Sequence, residues 1–481
     1  MQLTTIARVL GVLLMIFSLT LLVPVAVSLW FHDRNYLAFL LAFAITFGAG
    51  ASIWLPVRGS QADLRTRDGF LITALFWFVL GLFGALPLYF SLGLNLSATD
   101  AVFESLSGLT TTGATVLSGL EYLPPSILYY RHQLQWLGGI GIIVIAVAIL
   151  PLLGIGGMQL YRAEAPGPVK DNKLTPRITE TAKALFFLYV IFTLVCFLAY
   201  KLAGMSWFDA LGHSFSTVAN GGFSSYDDSL RHFESDAVLL ICTFFMIVAG
   251  ANFALHFVAW RDKSLWHYFK DTEFRFYFNW ILVGSVITAG YLYASDSLSG
   301  HDSIVLGVYN LVSTLTTAGF ASDFNDFPLF LPYMLFILAF LGGCASSTGG
   351  GMKMIRVLLL YKQGVREINR LIHPNAVIPI KVGKITVPDR VIEAVWGFFA
   401  MYVVMYIIMF LLLLMTGLNL ATAFSAVGAA ITNLGPGMGD VADNYAIVSD
   451  PGKWVLTFAM LLGRLEVFTL LVLFSPMFWR R

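Results

Sequence analysis

Four short stretches of this chain end alike: Thr110-Thr111-Thr112-Gly113, Ala219-Asn220-Gly221-Gly222, Thr316-Thr317-Ala318-Gly319 and Thr432-Asn433-Leu434-Gly435. Each follows a helix-like run of small and polar residues, opening at Asp100, Asp209, Leu306 and Thr422, and six positions before the final glycines stand Ser107, Ser216, Ser313 and Ala429. Glycine permits backbone angles that a β-carbon hinders, so such turns can bring successive carbonyl oxygens to a common axis. The helix before each turn aims the partially negative end of its dipole at the same point. A ring of four Thr/Gly-rich turns offering carbonyls is a known way to replace the hydration shell of a potassium ion. One stretch alone reads more readily as a small-residue surface for helix packing; four in register, each between two spans, favour cation coordination. The fourth departs furthest, with Leu434 in its turn and no helix serine, and its part in coordination is the weakest of the four.

A second constellation is Gly342-Gly343-Cys344-Ala345-Ser346-Ser347-Thr348-Gly349-Gly350-Gly351, which interrupts an apolar stretch. Each glycine costs a helix about 1 kcal/mol relative to alanine, so the segment is expected to be unwound, as a flexible break or as an obstruction inside a pore. Arg464 lies within the last apolar stretch, where a charge costs at least ~2.5–3.5 kcal/mol on insertion scales and must face a cavity or a partner. It reads as an electrostatic barrier to cations or as half of a salt bridge between spans. Glu466, two residues on, points elsewhere on a helix. Lys353 is grouped with the glycine segment as a gate candidate, although the positive edge of the membrane is the slightly favoured reading.

Enzyme chemistry finds little support. Gly437-Met438-Gly439-Asp440 matches the GxGD pattern of intramembrane aspartyl proteases, with Tyr226-Asp227 as its partner. Those enzymes need both aspartates at membrane depth sharing a proton, whereas each falls here in a polar loop whose turn chemistry explains it. The sequence contains no HExxH, P-loop or GxSxG pattern. Proton- or sodium-coupled transport requires ionisable relays in mid-membrane, for which Glu104, His213, His256 and Arg464 are the candidates; His213 reads more readily as a satisfied polar residue. Cys196, Cys242 and Cys344 stand far apart in apolar runs, which makes them buried free thiols rather than a disulfide or metal framework.

The elements that must position these residues follow from composition. With 58% hydrophobic and 12% charged residues among 481 and a mean hydropathy of +0.79, the chain cannot cover a water-facing surface, so an all-α integral membrane protein is expected. A net charge of +1 argues against nucleic acid as a partner. A span needs ~20 apolar residues, and ten candidates lie near 9–30, 36–55, 69–91, 130–157, 181–203, 236–260, 275–296, 328–361, 391–417 and 452–478. The first run shows no cleavage pattern and reads as a retained span. Residues 1–68 form a two-helix region; 69–178, 179–272, 273–388 and 389–481 are four repeats of span, short re-entrant helix, glycine turn and span. Non-helical backbone at membrane depth is tolerated where it lines a cavity inside the protein.

Charge sets the orientation. Arg58, Arg65 and Arg67, then Arg162, Lys170, Lys173 and Arg177, then Arg261, Lys263, Lys270 and Arg275 fall on one side of the ten-span arrangement. The largest set, Lys353, Arg356, Lys362, Arg366, Arg370, Lys381, Lys384 and Arg390, joins them with the terminal Arg480-Arg481. The positive-inside rule makes that side cytoplasmic, with both termini inside and the glycine turns opening outward. Asp227, Asp228, Glu234, Asp236, Asp323, Asp326, Asp440, Asp443 and Asp450 lie on the outer side, either concentrating cations there or serving as ordinary solvated loops.

Three motifs carry a family likeness. Gln135-Trp136-Leu137-Gly138-Gly139-Ile140-Gly141-Ile142-Ile143-Val144, the segment Gly342 to Lys353, and Gly463-Arg464-Leu465-Glu466 make the chain resemble the Trk/Ktr/HKT potassium transporters over nearly its whole length. The two extra N-terminal spans suit the TrkH-type branch better than the shorter Ktr branch. The resemblance implies a transporter rather than an enzyme: a single-chain, pseudo-tetrameric, potassium-channel-like pore for potassium uptake across the bacterial inner membrane. It implies potassium as the substrate at the four turns, Arg464 beneath them, and the glycine segment as an intramembrane gate. It further implies a homodimer regulated by a cytosolic TrkA-like nucleotide-binding ring protein that carries ATP/ADP or NAD, with no cofactor on this chain. Family members with serine at the position of Gly113 tend to admit sodium, so glycine there implies potassium selectivity.

Overall fold

The computed structural model describes residues 2–59, 66–144, 178–320 and 327–480. Arg65, Arg162, Lys170, Lys173, Arg177, Asp323, Asp326 and Arg481 of the charge reading, and the latter part of the 130–157 stretch, lie outside the described residues.

α1 (Leu3–Thr20) runs into α2 (Leu22–Phe31), and α3 (Tyr36–Trp54) returns beside them. α1 and α3 touch at two glycines: a β-carbon on Gly11 or on Gly50 would stand 2.8 Å from the other's carbonyl oxygen. Small residues thus let two backbones meet, as in membrane helix pairs. The stretch read from the sequence as repeat one holds α4 (Thr66–Gly84), α5 (Leu86–Phe90), the short α6 (Ala98–Leu109) and α7 (Pro125–Val144). Repeat two follows with α8 (Ile178–Leu202), the short α9 (Trp207–Val218), α10 (Asp236–Gly250), α11 (Phe253–Arg261) and α12 (Trp266–Lys270). Repeat three has α13 (Thr272–Ala294), the short α14 (Gly300–Leu315), α15 (Phe330–Ala339) and α16 (Met354–Ile372). A small antiparallel hairpin, β1 (Lys381–Val382) with β2 (Ile385–Thr386), is the one departure from all-helical structure among the described residues. Repeat four closes the chain with α17 (Asp389–Met415), α18 (Leu420–Thr432), α19 (Asp450–Arg464), α20 (Phe468–Phe474) and α21 (Pro476–Trp479).

Six helical stretches are long and apolar enough to cross a membrane, or up to eight if two bent pairs each count as one span. Of the ten stretches expected, 130–157 begins in α7 and leaves the described residues, and 328–361 is divided by the glycine segment. The bent pairs correct the expectation of straight spans at 236–260 and 452–478: α10 and α11 meet at 92°, α19 and α20 at 116°. Along α17, Val404, Ile408, Leu411, Leu412 and Met415 are all exposed, an outward apolar face suited to lipid rather than water. The protein is a multi-pass, predominantly helical membrane protein.

The four short helices start alike. Ser97, Ser206 and Ser299 accept from the backbone N–H of Asp100, Asp209 and Asp302, and Asn419 accepts from that of Thr422. In the three serine cases the hydroxyl also donates to the aspartate, at 2.9, 2.6 and 2.7 Å. This reciprocal cap fixes where each helix begins. α14 has 16 residues against 12 in α6 and α9, about one extra turn, yet it delivers its chain to the same kind of turn.

Candidate functional site: a ring of four glycine turns

Each short helix ends by the same hydrogen bond. The N–H of Thr112, Gly221, Ala318 and Leu434 donates to the carbonyl of Ser107, Ser216, Ser313 and Ala429, at 2.8, 2.9, 2.8 and 2.8 Å. It is therefore the backbone of this position that builds the turn, and Ala429 serves as well as serine. The absent serine had marked repeat four as the outlier; the bond removes that reason. The next feature is also shared: Thr111, Asn220, Thr317 and Asn433 all have positive φ, between 50° and 59°, and Gly113, Gly222, Gly319 and Gly435 lie between 76° and 98°. Asparagine tolerates the left-handed region, but a β-branched threonine there is an outlier that its surroundings must hold. The threonines thus mark strain concentrated at the turns.

The turns close on one another in sequence order. A β-carbon on Gly113 would strike the carbonyl oxygen of Gly221; on Gly222, that of Ala318; on Gly319, that of Leu434; and on Gly435, that of Thr112. Each glycine thus meets the residue before the next repeat's glycine, and the fourth returns to the first. Leu434 takes its place through its carbonyl while its side chain is buried. The last seam is stitched further: Asn433 Nδ2 donates to Thr112 Oγ1 and to Met460 O, both at 3.0 Å, Tyr445 N to Thr115 O at 2.7 Å, and Lys453 Nζ to Asp100 Oδ1 at 2.6 Å. Thr110, Thr316 and Thr432 turn their hydroxyls back to Leu106 O, Val312 O and Gly428 O, each at 2.7 Å. Ala219 is wholly buried at the corresponding place.

Behind the turns the repeats differ. In repeats one and two a buried polar network runs from Glu104 through Arg131 to Ser224, beside His132 and His213. Gln135 Nε2 donates to Gly221 O, and its Oε1 accepts from Phe223 N at 3.0 Å. In repeats three and four tyrosines do this work: Tyr309 Oη donates to Phe320 O at 2.5 Å and Tyr445 Oη to Gly435 O at 2.7 Å.

The glycine segment lies against the helix ends of three repeats. It is unwound between α15 and α16, as its composition predicts. Cys344 N donates to Gly250 O at 2.8 Å and Gly351 N to Thr432 O at 2.9 Å; Gly350 N donates to Thr317 Oγ1 at 2.6 Å and Thr348 Oγ1 to Val218 O at 3.1 Å. Side chains at Gly343, Gly349 and Gly350 would collide with the carbonyls of Gly250, Thr316 and Thr432, and Gly342 with that of Gly350. Ser346 turns the chain at φ 57°, and Ser347 Oγ is buried without a partner among the described residues. Glu273, at the start of α13, accepts from Ala345 N at 2.6 Å.

Arg464 connects this segment to repeat one. Its Nη1 donates to Thr348 O and its Nη2 to Gly138 O, each at 3.0 Å, with the guanidinium 5.5 Å from the Trp77 ring centre. It forms no ion pair among the described residues, which removes the salt-bridge reading: its charge meets carbonyl oxygens. It ends α19 rather than sitting mid-helix, because Glu466 and Val467 take positive φ of 55° and 56°. Glu466 then pairs with Arg356 on α16 instead of occupying another face of one helix. Lys353 is also corrected. It is buried and donates to Gly349 O, so it belongs to the segment and not to the solvated edge.

The other ionisable candidates are locked locally. His213 bonds Asp209 O and Ser224 Oγ at 2.8 and 3.0 Å, and His256 bonds Tyr268 Oη and Val248 O at 2.6 and 2.8 Å. Asp227 is exposed and accepts from Gly119 N and Leu120 N; Asp440 is exposed and accepts from Asn419 and Thr422. Both aspartates anchor loops, against the protease arrangement. The three cysteines are free and buried. The sequence reading missed Arg131, Gln135, Arg356 and Glu273 as parts of the site; the signal available for Arg131 was a guanidinium inside a candidate span.

A multi-pass membrane protein whose short capped helices deliver four turns into one closed ring belongs with the cation-translocating membrane proteins. More narrowly, the chain belongs to the TrkH family of cation transport proteins, whose sequence model matches residues 36–481. It is 55% identical to the Trk system potassium uptake protein TrkH of Halomonas elongata and 50% identical to that of Escherichia coli K12, with all of each chain covered. It is 39% identical to TrkG of Escherichia coli K12 over 98% of this chain and 97% of the other. The crystal structure of the potassium transporter TrkH from Vibrio parahaemolyticus superposes with a TM-score of 0.92 at 48% identity, covering both chains completely.

Proposed function

We propose that this chain is the ion-conducting subunit of a Trk-type potassium-uptake system in the bacterial inner membrane. The single observation that carries the reading is the closed circuit of Gly113, Gly222, Gly319 and Gly435 against the carbonyls of the neighbouring turns. Potassium sheds its hydration shell at Thr110–Gly113, Ala219–Gly222, Thr316–Gly319 and Thr432–Gly435. Four repeats (69–178, 179–272, 273–388 and 389–481) surround one axis, with residues 1–68 outside it and both termini cytoplasmic. The chain works as a homodimer and needs no cofactor of its own. The basic cytoplasmic loops, residues 353–390 above all, suit docking of a TrkA-like ring protein with an acidic face that responds to ATP/ADP or NAD.

Below the ring, Gly342–Gly351 obstructs the path by occupying it, held by Lys353 and Arg464. Arg464 also opposes cations by charge: two unit charges 4 Å apart interact by about 4 kcal/mol at an effective dielectric of ~20, and a third of that changes passage roughly tenfold. The local hydrogen bonds of Glu104, His213 and His256 favour gated diffusion over a proton relay.

The test is ion flux through the purified chain with its regulatory partner in liposomes, with potassium, sodium and pH gradients varied separately. Potassium flux that follows its own gradient and responds to nucleotide is expected, and Arg464→Ala should raise it about tenfold without altering selectivity. Flux that requires a sodium or proton gradient would replace this reading with coupled symport.

A further inference from the structure

The most heavily bonded charged pair inside the described residues is not at the glycine segment but behind the first turn. Arg131 Nε donates to Glu104 Oε1 at 2.8 Å, and the two side chains are 1% and 0% exposed. The remaining hydrogen bonds of the pair all reach the chain that leaves a glycine turn. Glu104 accepts from Thr115 Oγ1 at 3.0 Å and from Val116 N at 3.0 Å, two and three residues after Gly113. Arg131 donates through Nη1 to Ser224 O at 2.8 Å, two residues after Gly222, and through Nη2 to Thr115 Oγ1 at 3.1 Å. Its guanidinium also lies 4.2 Å from the Phe223 ring centre.

The same place in repeat two holds a histidine. Glu104 and His213 each stand nine residues before their glycine, and each bonds the hydroxyl two residues after it, Thr115 or Ser224. One ion pair therefore ties the exits of two adjacent turns to a single rigid group. Bonds to charged partners are shorter and stronger than neutral ones, and a low-dielectric interior strengthens them further.

We infer that Glu104 and Arg131 are positioning residues for ion selection: by holding the exits of the first two turns at a fixed separation, they set the discrimination of potassium over sodium on that half of the ring. The inference rests on the potassium-filter reading above. Whether a carbonyl ring discriminates by size or by field strength, its geometry has to be held.

The experiment measures the sodium-to-potassium permeability ratio of the full chain in liposomes, with thermal stability recorded on the same preparations. The key variant is the double substitution Glu104→Gln with Arg131→Met, which removes both charges together and leaves no unpaired buried charge. Removing both partners of a buried pair is far better tolerated than removing one. Stability near that of the parent with a permeability ratio raised about tenfold or more is expected. Thr115→Val, at a half-buried position, should move the ratio in the same direction by about threefold and provides a reading if the double variant fails to fold. A ratio unchanged in Thr115→Val and in any folded double variant would overturn the inference and leave the pair a purely structural brace. Parent protein that does not prefer potassium would instead refute the filter reading itself.

Discussion

The two halves of the ring reach the same backbone by different chemistry. Repeats one and two hold their turns from behind with an ion pair, imidazoles and an amide: Glu104 with Arg131, His132 and His213, and Gln135. Repeats three and four use the hydroxyls of Tyr309 and Tyr445 on Phe320 O and Gly435 O. The turns themselves share one closing hydrogen bond and one pattern of positive φ. What is common is therefore the backbone, and what differs is its support. A buried ionic support is strong while complete and costly once a partner is missing; a phenol contributes a single bond beside a large apolar surface.

The comparison can be broken most severely at Arg131. Arg131→Ala leaves Glu104 as an unpaired buried carboxylate and should cost about 3–5 kcal/mol. Thermal unfolding and yield in detergent should fall far below those of the parent, and a loss under 1 kcal/mol would mean that the ionic half does not depend on its pair. Gly113→Ser and Gly435→Ser sharpen the contrast at the ring. Both positions have positive φ and face a neighbouring carbonyl, so each substitution should relax sodium exclusion, by about tenfold if ~1.4 kcal/mol of discrimination is lost. Equal exclusion in parent and variants, measured by reversal potential or competitive flux, would remove those glycines from the filter. The smallest effect is expected on the phenolic half. Tyr309→Phe and Tyr445→Phe each delete one hydrogen bond and should lower stability by about 1 kcal/mol, with far less change in selectivity than the loss of the ionic pair.

Much of this arrangement is legible in the sequence where a residue type has one physical use. Five glycines among ten residues cannot be a stable helix in an apolar chain, and Gly342–Gly351 is unwound. The four terminal glycines align without structural help, because positive φ leaves few alternatives. The capping serines and Asn419 are equally readable once their spacing to Asp100, Asp209, Asp302 and Thr422 is noticed. Pairings were not readable. Nothing in composition joins Glu104 to Arg131, or Arg356 to Glu466 across 110 positions, since any carboxylate could serve any guanidinium. The bend after Arg464 was also hidden, because Val467 is a residue whose β-branch argues against positive φ. The break after α10 was passed over in the same way, although Asn252, which caps α11 by accepting from Ala254 N, is a residue type that starts helices. Lys353 misled for a related reason: a lysine beside a basic loop is usually solvated, and only the unwound glycines give it a carbonyl to bury against.

The seam between the last turn and the first has a consequence for how the protein is made. Asn433 meets Thr112 across 321 residues, and Lys453 meets Asp100 across 353. At roughly 5–20 residues per second, the first turn leaves the ribosome about 15–60 s before its closing neighbour exists. During that interval Gly113 faces Gly221 on one side and has no partner on the other. The strained Thr111 must wait in lipid or against the insertion machinery, supported by the ion pair of its own half. A chain stalled before α18 would hold three of the four turns and no closed path, so the earliest-made turn completes its contacts only when the last-made one arrives.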